Sequence, residues 1–368
     1  MQSGLQMSDV TGQVQPGFEA APIEASAEKA LRPARLGFLG LGWIGRRRLG
    51  GVAGRPDISV CALADPDTQS LQLAAQDVSR HDATCTTSFD ELLRCDLDGV
   101  VIATPSALHA EQAIRALKRG LAVFCQKPVA ITAGETAQVI AAARSSNRLL
   151  NVDYCYRHVR GMSELRERLR HGELGELIAV DLTFHNAYAP GRSWCFDPTL
   201  AGGGCIIDLG THLVDLLLWL LDYPKTEWVS SHLFAQGRRV APGQKAIEDF
   251  GAVEFRLANG APVRLNCSWN LHAGRDAIID VVLHGTRAGA EWRNVNGSFY
   301  DFEVALLRGA QQEILGSDCD ENHWGGRALE AWLDRLQLDA GFDEDAVGLL
   351  ANARLIDACY QRCVVTSQ

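Results

Sequence analysis

A run of strand length, Leu36-Gly37-Phe38-Leu39, breaks at Gly40-Leu41-Gly42-Trp43-Ile44-Gly45 into a stretch of helical character. The glycine spacing G-x-G-x-x-G at a strand-to-helix turn admits few folds. The first glycine allows the tight turn, the second leaves room for a pyrophosphate against the backbone, and the third lets helix and strand pack closely. A helix starting near Trp43 would aim unpaired N–H groups and a positive dipole end at that phosphate.

A glycine spacing alone is weak support for a dinucleotide. A second strand-like run, Ile58 to Ala64, strengthens it by ending in Asp65, twenty positions past Gly45. That is where the fingerprint places an acid to accept ribose hydroxyls. Asp65-Pro66-Asp67 also reads as a helix start with proline at the first position. A carboxylate beside the ribose repels a 2′-phosphate, so NAD is expected over NADP. Arg46, Arg47 and Arg48 supply guanidinium groups that could pair with such a phosphate, but their spacing puts them along the first helix, partly facing solvent.

From Ala34 to Asp153, strand-like and helical runs alternate, which predicts a parallel sheet with crossover helices. Strands are expected near Ala83–Thr87, over Gly99–Ala103, Leu121–Cys125 and Leu149–Asp153, with helices over Asp67–Arg80, His109–Gly120 and Ala133–Ser145. Gly99–Ala103 (GVVIA) is continuously apolar, as a strand buried on both faces requires. Beyond residue 153 the pattern changes. Ile178–His185, Phe250–Leu257, Val263–Leu271 and Ala277–His284 alternate, and Asn259-Gly260 marks a hairpin between two of them. They predict one mainly antiparallel sheet, closed by a final helix over Gly341–Cys363.

The fold expected is therefore α/β: a flexible arm over residues 1–33, a Rossmann dinucleotide-binding domain over 34–153, and an α+β domain with an open-faced sheet over 154–368. A length of 368 residues fits two such domains. A net charge of −10 disfavours nucleic acid or an anionic membrane surface as partner. Eleven cysteines without C-x-x-C pairs fit a reducing compartment. No apolar stretch reaches the roughly 18 residues of a membrane span, and residues 1–33 lack the apolar core of a secretion signal. The cytoplasm is expected.

Two constellations carry chemistry. Gln126-Lys127-Pro128 follows a strand at the edge where open α/β sheets bind ligands. A lysine there can hydrogen-bond a substrate oxygen and stabilise developing negative charge, although most lysines are simply solvated. The second is Gly202-Gly203-Gly204 leading into an apolar helix through Leu221. Asp208, His212 and Asp215 fall at i, i+4 and i+7, one polar stripe on a helix whose composition calls for burial. A histidine beside a carboxylate equips a general base. It also suits a satisfied core histidine or, with His185 joining from a strand, a metal pair; no other ligand stands at metal-binding spacing nearby.

The fingerprint, Asp65, Lys127-Pro128 and GGG-x₃-D-x-G-x-H-x₂-D over Gly202–Asp215, in that order from about Ala34 onward, resemble the Gfo/Idh/MocA oxidoreductases. The resemblance implies a sugar or cyclitol dehydrogenase whose catalytic set is Lys127, Asp208 and His212. The residues expected at the cofactor are Gly40, Gly42, Trp43, Ile44, Gly45, Asp65, Thr104, Pro105, His109, Gln126 and Lys127. Those expected at the substrate are Lys127, Tyr154, Arg157, Arg192, Trp194, Asp208 and His212, since Tyr154–His158 resembles the family's Y-x-Y-R segment. The loop Asn186–Asp197 has aromatic faces and a guanidinium suited to a polyol, and equally to a subunit contact.

Where the family usually has Glu-Lys-Pro, this chain has Gln126, which keeps the shape but drops a charge beside Lys127. The expected function is NAD-dependent hydride transfer on a secondary alcohol or ketone of a sugar, cyclitol or related polyol, with no metal. The alternatives are a non-catalytic nucleotide-binding sensor of the same fold, and a reductase of an imine or double bond. An open sheet face is rarely left bare in water, so a homodimer or homotetramer built partly through that sheet is expected.

Overall fold

The computed structural model describes residues 32–361, apart from 53, 79–82, 242–243, 245 and 320–323. Of the expected arm, residues 1–31 lie outside the described residues. The first sheet holds six parallel strands: β1 (Ala34–Leu39), β2 (Ile58–Ala64), β3 (Thr84–Thr86), β4 (Gly99–Ile102), β5 (Ala122–Cys125) and β6 (Leu150–Val152). Their order is β3-β2-β1-β4-β5-β6. β4 and β5 are buried at every position, as their unbroken apolar runs require. The order reverses between β1 and β4, which opens a crevice beyond their C-terminal ends.

The helix Thr68–Asp77 settles the competing reading of Asp65. Its N-cap is Asp67, whose carboxylate accepts from the backbone N–H groups of Gln69 (3.2 Å) and Ser70 (3.1 Å). Asp65 is therefore not the N-cap of this helix. The helix ends three residues short of the expected Arg80, and residues 79–80 lie outside the described set. The helix expected from His109 starts earlier, at Ser106 directly after Pro105.

The second sheet has nine strands: β7 (Leu177–Asn186), β8 (Thr226–Ala235), β9 (Arg238–Arg239), β10 (Phe250–Leu257), β11 (Pro262–Ser268), β12 (Ala277–Gly285), β13 (Gly289–Asn294), β14 (Asp301–Arg308) and β15 (Gln311–Cys319). They are ordered β15-β14-β13-β12-β7-β11-β10-β8-β9. Every pairing is antiparallel except β11 with β7. Asn259-Gly260 does join β10 to β11, with Gly260 at φ +86°. The run expected to reach Leu271 leaves the ladder after Ser268, since Asn270 turns to φ +59°. The sequence passed over β8, β9, β13, β14 and β15. Edge strand β15, for example, begins Gln-Gln-Glu and exposes its first four residues, so it has no apolar alternation to detect.

The outward side chains correct one expectation. They do not form a bare apolar face but carry ion pairs, Arg264 with Asp181 (2.6 Å) and Arg293 with Glu303 (3.3 Å), and the His284 ring lies 3.2 Å from Asp181.

The inner face packs on the apolar helix, and the C-terminal helices return to the first sheet. Trp332, on the helix Gly326–Leu338, sets its ring 5.7 Å from that of Phe124 of β5, tilted by 48°, and covers Gly99, where a Cβ would meet its ring at 2.7 Å. The final helix starts at Gly348, after a 3₁₀ turn over Glu344–Val347, and is described to Gln361. From Pro33 onward the chain is a single compact unit. The helical run Pro198–Leu220 is long and apolar enough by composition to cross a membrane, against expectation. It is 83% buried within the fold, the position of a core helix.

Candidate active site

A cleft of about 610 Å³ runs from the C-terminal ends of β1 and β4 to the inner face of β7. At one end is the glycine turn. Gly40 has φ +86°, and a Cβ on it would lie 2.6 Å from the Ala103 carbonyl carbon. A Cβ on Gly45 would lie 1.9 Å from the Gly40 oxygen, so only hydrogen fits where helix meets strand. A Cβ on Gly42 would meet nothing within 4 Å. The backbone there faces open space at the start of the helix Trp43–Val52, which is the cradle a pyrophosphate needs.

Asp65 stands beside this turn. Its Oδ2 accepts from Leu41 N–H (2.6 Å) and its Oδ1 from Asp67 N–H (2.8 Å), which leaves lone pairs on both oxygens toward the cleft. The three arginines all point elsewhere. Arg46 pairs with Asp77 (2.9 Å), and Arg47 lies against the rings of Trp43, Tyr300 and Trp324. Arg48 is buried against Asp153 (2.6 Å). Each of the three is thus engaged away from Asp65, and the residues present fit NAD.

Ile44, Thr104 and Pro105 line the cleft, while His109 acts as a strut behind them. Its ring nitrogens sit 2.7 Å from the Thr104 and Pro128 carbonyl oxygens and tie the loop after β4 to the turn after β5. Gln126 donates from Nε2 to the Asp153 oxygen that also receives Arg48. The missing charge of the usual glutamate is thus met by a neutral amide against an existing buried ion pair.

Lys127 crosses to the second half of the cleft. Its ammonium donates to the Asp208 carboxylate (2.7 Å) and to the Asp208 carbonyl oxygen (2.6 Å). Asp208 sits in a π-helical turn over Ile206–Gly210, where Thr211 N–H reaches back five residues to the Ile206 oxygen. Widened turns of this kind recur at functional sites. Burial pushes the Asp208 carboxyl up, but the charge and hydrogen bond of Lys127, with Arg192, hold it below its ordinary value.

The N-terminus of that helix is fixed by Glu248, buried on the far side. Its carboxylate accepts from Gly204 N–H (2.8 Å), Ile206 N–H (2.9 Å) and the Tyr360 hydroxyl (2.8 Å), and burial pushes it up to about 7. Gly204 must be glycine, since a Cβ would lie 1.9 Å from the Glu248 carbonyl oxygen.

His212 follows at the start of the α-helix Thr211–Leu220, with Tyr154 and Tyr156 rings 6.3 and 5.0 Å from its own. Its Nδ1 is buried and makes no hydrogen bond. Burial first, then the Lys127 and Arg48 charges, push the imidazole well below its ordinary range, so it is neutral. The expected polar stripe therefore divides by partner: Asp208 bonds Lys127, Asp215 bonds Arg157 (2.7 Å), and His212 faces the cleft without a carboxylate on it.

Two expected substrate residues sit elsewhere. Arg157 is committed to Asp215, and the Tyr154 hydroxyl accepts from Asn352 Nδ2 (3.0 Å), so both brace the helix from behind the cleft. Tyr156 is the residue of that segment that lines it, with Arg192 and Trp194 at the mouth. Asn186, the first residue of the loop expected to cover a polyol, also lines the cleft; Trp269, Phe299 and Trp324 line it too and were passed over, because single aromatic residues carry no motif. His185 is turned to the opposite face, bonded to Ser268 Oγ (2.8 Å). Among the described residues no three His, Cys, Asp or Glu side chains gather as metal ligands.

Residues 34–154 match the sequence profile of the oxidoreductase family with an NAD-binding Rossmann fold, and residues 162–291 match the GFO/IDH/MocA C-terminal domain. The chain is 27% identical over 346 residues to D-glucoside 3-dehydrogenase of Escherichia coli (strain K12), covering 89% of this chain and 95% of that protein. It is 32% identical over 276 residues to a putative UDP-kanosamine synthase oxidoreductase subunit of Amycolatopsis mediterranei (strain S699), covering 70% and 75%. Among solved structures, levoglucosan dehydrogenase in complex with NADH superposes with a TM-score of 0.75 at 20% identity, over 90% of this chain and 97% of the other.

Proposed function

The chain belongs to the Gfo/Idh/MocA oxidoreductase family, and on that premise we propose that it oxidises a secondary alcohol of a sugar, cyclitol or related polyol with NAD, or reduces the corresponding ketone. The carrying observation is the placement of a neutral His212, with a buried and unbonded nitrogen, in the same cleft as the Lys127–Asp208 pair and the glycine turn. The region of the first sheet holds the cofactor through Gly40, Gly42, Gly45 and Asp65, and the region of the second sheet holds the substrate. NAD, when bound, supplies the hydride acceptor.

The remaining work falls to side chains. His212 accepts the proton of the substrate hydroxyl, as only a neutral imidazole can. Lys127 donates a hydrogen bond to the same oxygen and stabilises its charge as the C–H bond breaks. Asp208 holds that ammonium in place. A sensor without catalysis would not need a lysine, a carboxylate and a neutral histidine converging on one cleft, and a reductase of an imine or double bond would have less use for Lys127.

The test is a dehydrogenase screen of polyols, sugar acids and nucleotide sugars, with NAD and NADP in parallel. The expected result is NADH formed from a polyol, with NAD preferred over NADP in calorimetry and the preference narrowed in Asp65→Ser. A wild-type preference for NADP would overturn the assignment of Asp65. Absence of turnover across the screen would favour the sensor.

The protein is also proposed to be a cytoplasmic homo-oligomer, a dimer or tetramer formed partly through the nine-stranded sheet. The support is a broad outward face whose ion-paired side chains remain partly exposed. Light scattering at micromolar concentration should give a multiple of 40.0 kDa; only monomers would overturn it.

A further inference from the structure

Among the described residues lining the cleft, five buried side-chain atoms lack a hydrogen-bond partner: Asp153 Oδ1, Trp324 Nε1, His212 Nδ1, Asn186 Oδ1 and Trp269 Nε1. The last two stand together. β7 and β11 are the parallel pair of the second sheet, and their register runs Cys267 with Phe184 and Ser268 with His185. The next positions are Trp269 and Asn186, on the same face as Cys267 and Phe184. His185 Nδ1 bonded to Ser268 Oγ (2.8 Å) pins the two strand ends on the other face. Chain geometry beyond them is fixed too: Leu271 N–H donates to the Asn186 carbonyl (2.9 Å), and Ala189 N–H donates to Asn270 Oδ1 (2.9 Å).

The two atoms are complementary. Asn186 Oδ1 accepts and Trp269 Nε1–H donates, yet neither bonds the other. The indole N–H points toward the Asp208 carboxylate and favours its charged form, at a geometry too poor to satisfy the donor. The Phe196 ring stands edge-on to the Trp269 indole at 6.0 Å. Buried donors and acceptors are almost always satisfied, and leaving one unsatisfied is costly. Both residues line the proposed substrate end of the cleft, together with Asp208.

We propose that Asn186 and Trp269 form a hydroxyl-reading pair that sets substrate specificity. One substrate hydroxyl donates to Asn186 Oδ1 and accepts from Trp269 Nε1–H. It lies close to the reacting carbon, because Trp269 is beside Asp208 and Asp208 holds Lys127. The substrate class is then a polyol with a free hydroxyl neighbouring the oxidised carbon, not a deoxy sugar at that position. This rests on the polyol reading above.

The experiment measures NADH formation by the wild type, Asn186→Ala and Trp269→Phe. The substrates are methyl β-D-glucopyranoside, levoglucosan and myo-inositol, with the monodeoxy analogues of whichever is turned over. In the wild type, loss of one particular hydroxyl should cut kcat/KM by about 10²-fold or more, since a site built to bond a hydroxyl leaves its own groups unpaired without it. In either variant the same analogue should come within about tenfold of its parent, while analogues lacking other hydroxyls keep their wild-type ratios. Trp269→Phe preserves the ring, and NADH titration checks that both variants retain cofactor binding. Equal losses on parent and every deoxy analogue would overturn the pair and leave the polyol reading standing. A wild type that binds NADH but oxidises none of these polyols would overturn the polyol reading and the pair with it.

Discussion

Replacing His212 by alanine should lower kcat by about 10²–10⁴-fold, the usual worth of general acid–base catalysis, with NAD affinity nearly unchanged. The separation follows from position. The Gly40–Gly45 turn and Asp65 lie at one end of the cleft, and His212 starts a helix of the other half. Turnover and thermal melts on the same sample decide the matter, because a histidine that merely fills the core would give a destabilised but fully active variant. The wild-type pH profile carries a second readout. Burial and the Lys127 and Arg48 charges push His212 well below its ordinary range. The neutral, proton-accepting form therefore persists as pH falls through the usual imidazole range, and an acid limb assigned to His212 must lie below it. An acid limb at an unperturbed imidazole value, abolished in His212→Ala, would show that the ring is more solvated than its surroundings indicate.

Lys127→Met should lower kcat by about 10²–10³-fold, the cost of removing one donor from a developing oxyanion. The loss should appear in kcat more than in KM, because the bond to oxygen strengthens as charge develops. The same change strips Asp208 of its cation and of two hydrogen bonds. That leaves a half-buried carboxylate unpaired and should cost on the order of 1–3 kcal/mol of stability. The double variant Lys127→Met/Asp208→Asn removes the orphaned charge, so its melting temperature should recover while turnover does not. If turnover recovers together with stability, Lys127 serves only to hold the π-helical turn, and its role at the substrate oxygen is wrong.

Where the chain could be read in advance, a local rule was at work. The glycine turn was legible because two of its glycines answer a local backbone requirement: φ +86° at Gly40 and contact between helix and strand at Gly45. Strands β4 and β5 were legible because burial on both faces leaves unbroken apolar runs. Strand β15 was not, because its pairing with β14 supplies the order and its own residues do not alternate. Tyr154 and Arg157 were assigned to the substrate from their place in a segment. Their side chains turn instead to Asn352 and Asp215, partners 198 and 58 residues away.

By itself the sequence determined the dinucleotide turn, the acid that follows it, the lysine after β5 and the spacing of Asp208 and His212, since local geometry and periodicity dictate these. Tertiary structure alone decided how they are partnered. Lys127 meets Asp208 across 81 positions of chain. Arg48, one of three adjacent arginines, is drawn to Asp153 across 105. Asn186 and Trp269 become neighbours only because β7 and β11 pair in parallel. The physical reason is range: a turn or cap is settled by torsions and hydrogen bonds within a few residues, whereas the partner of a buried charge is set by which strands lie side by side, and strand pairing leaves little trace in any one segment.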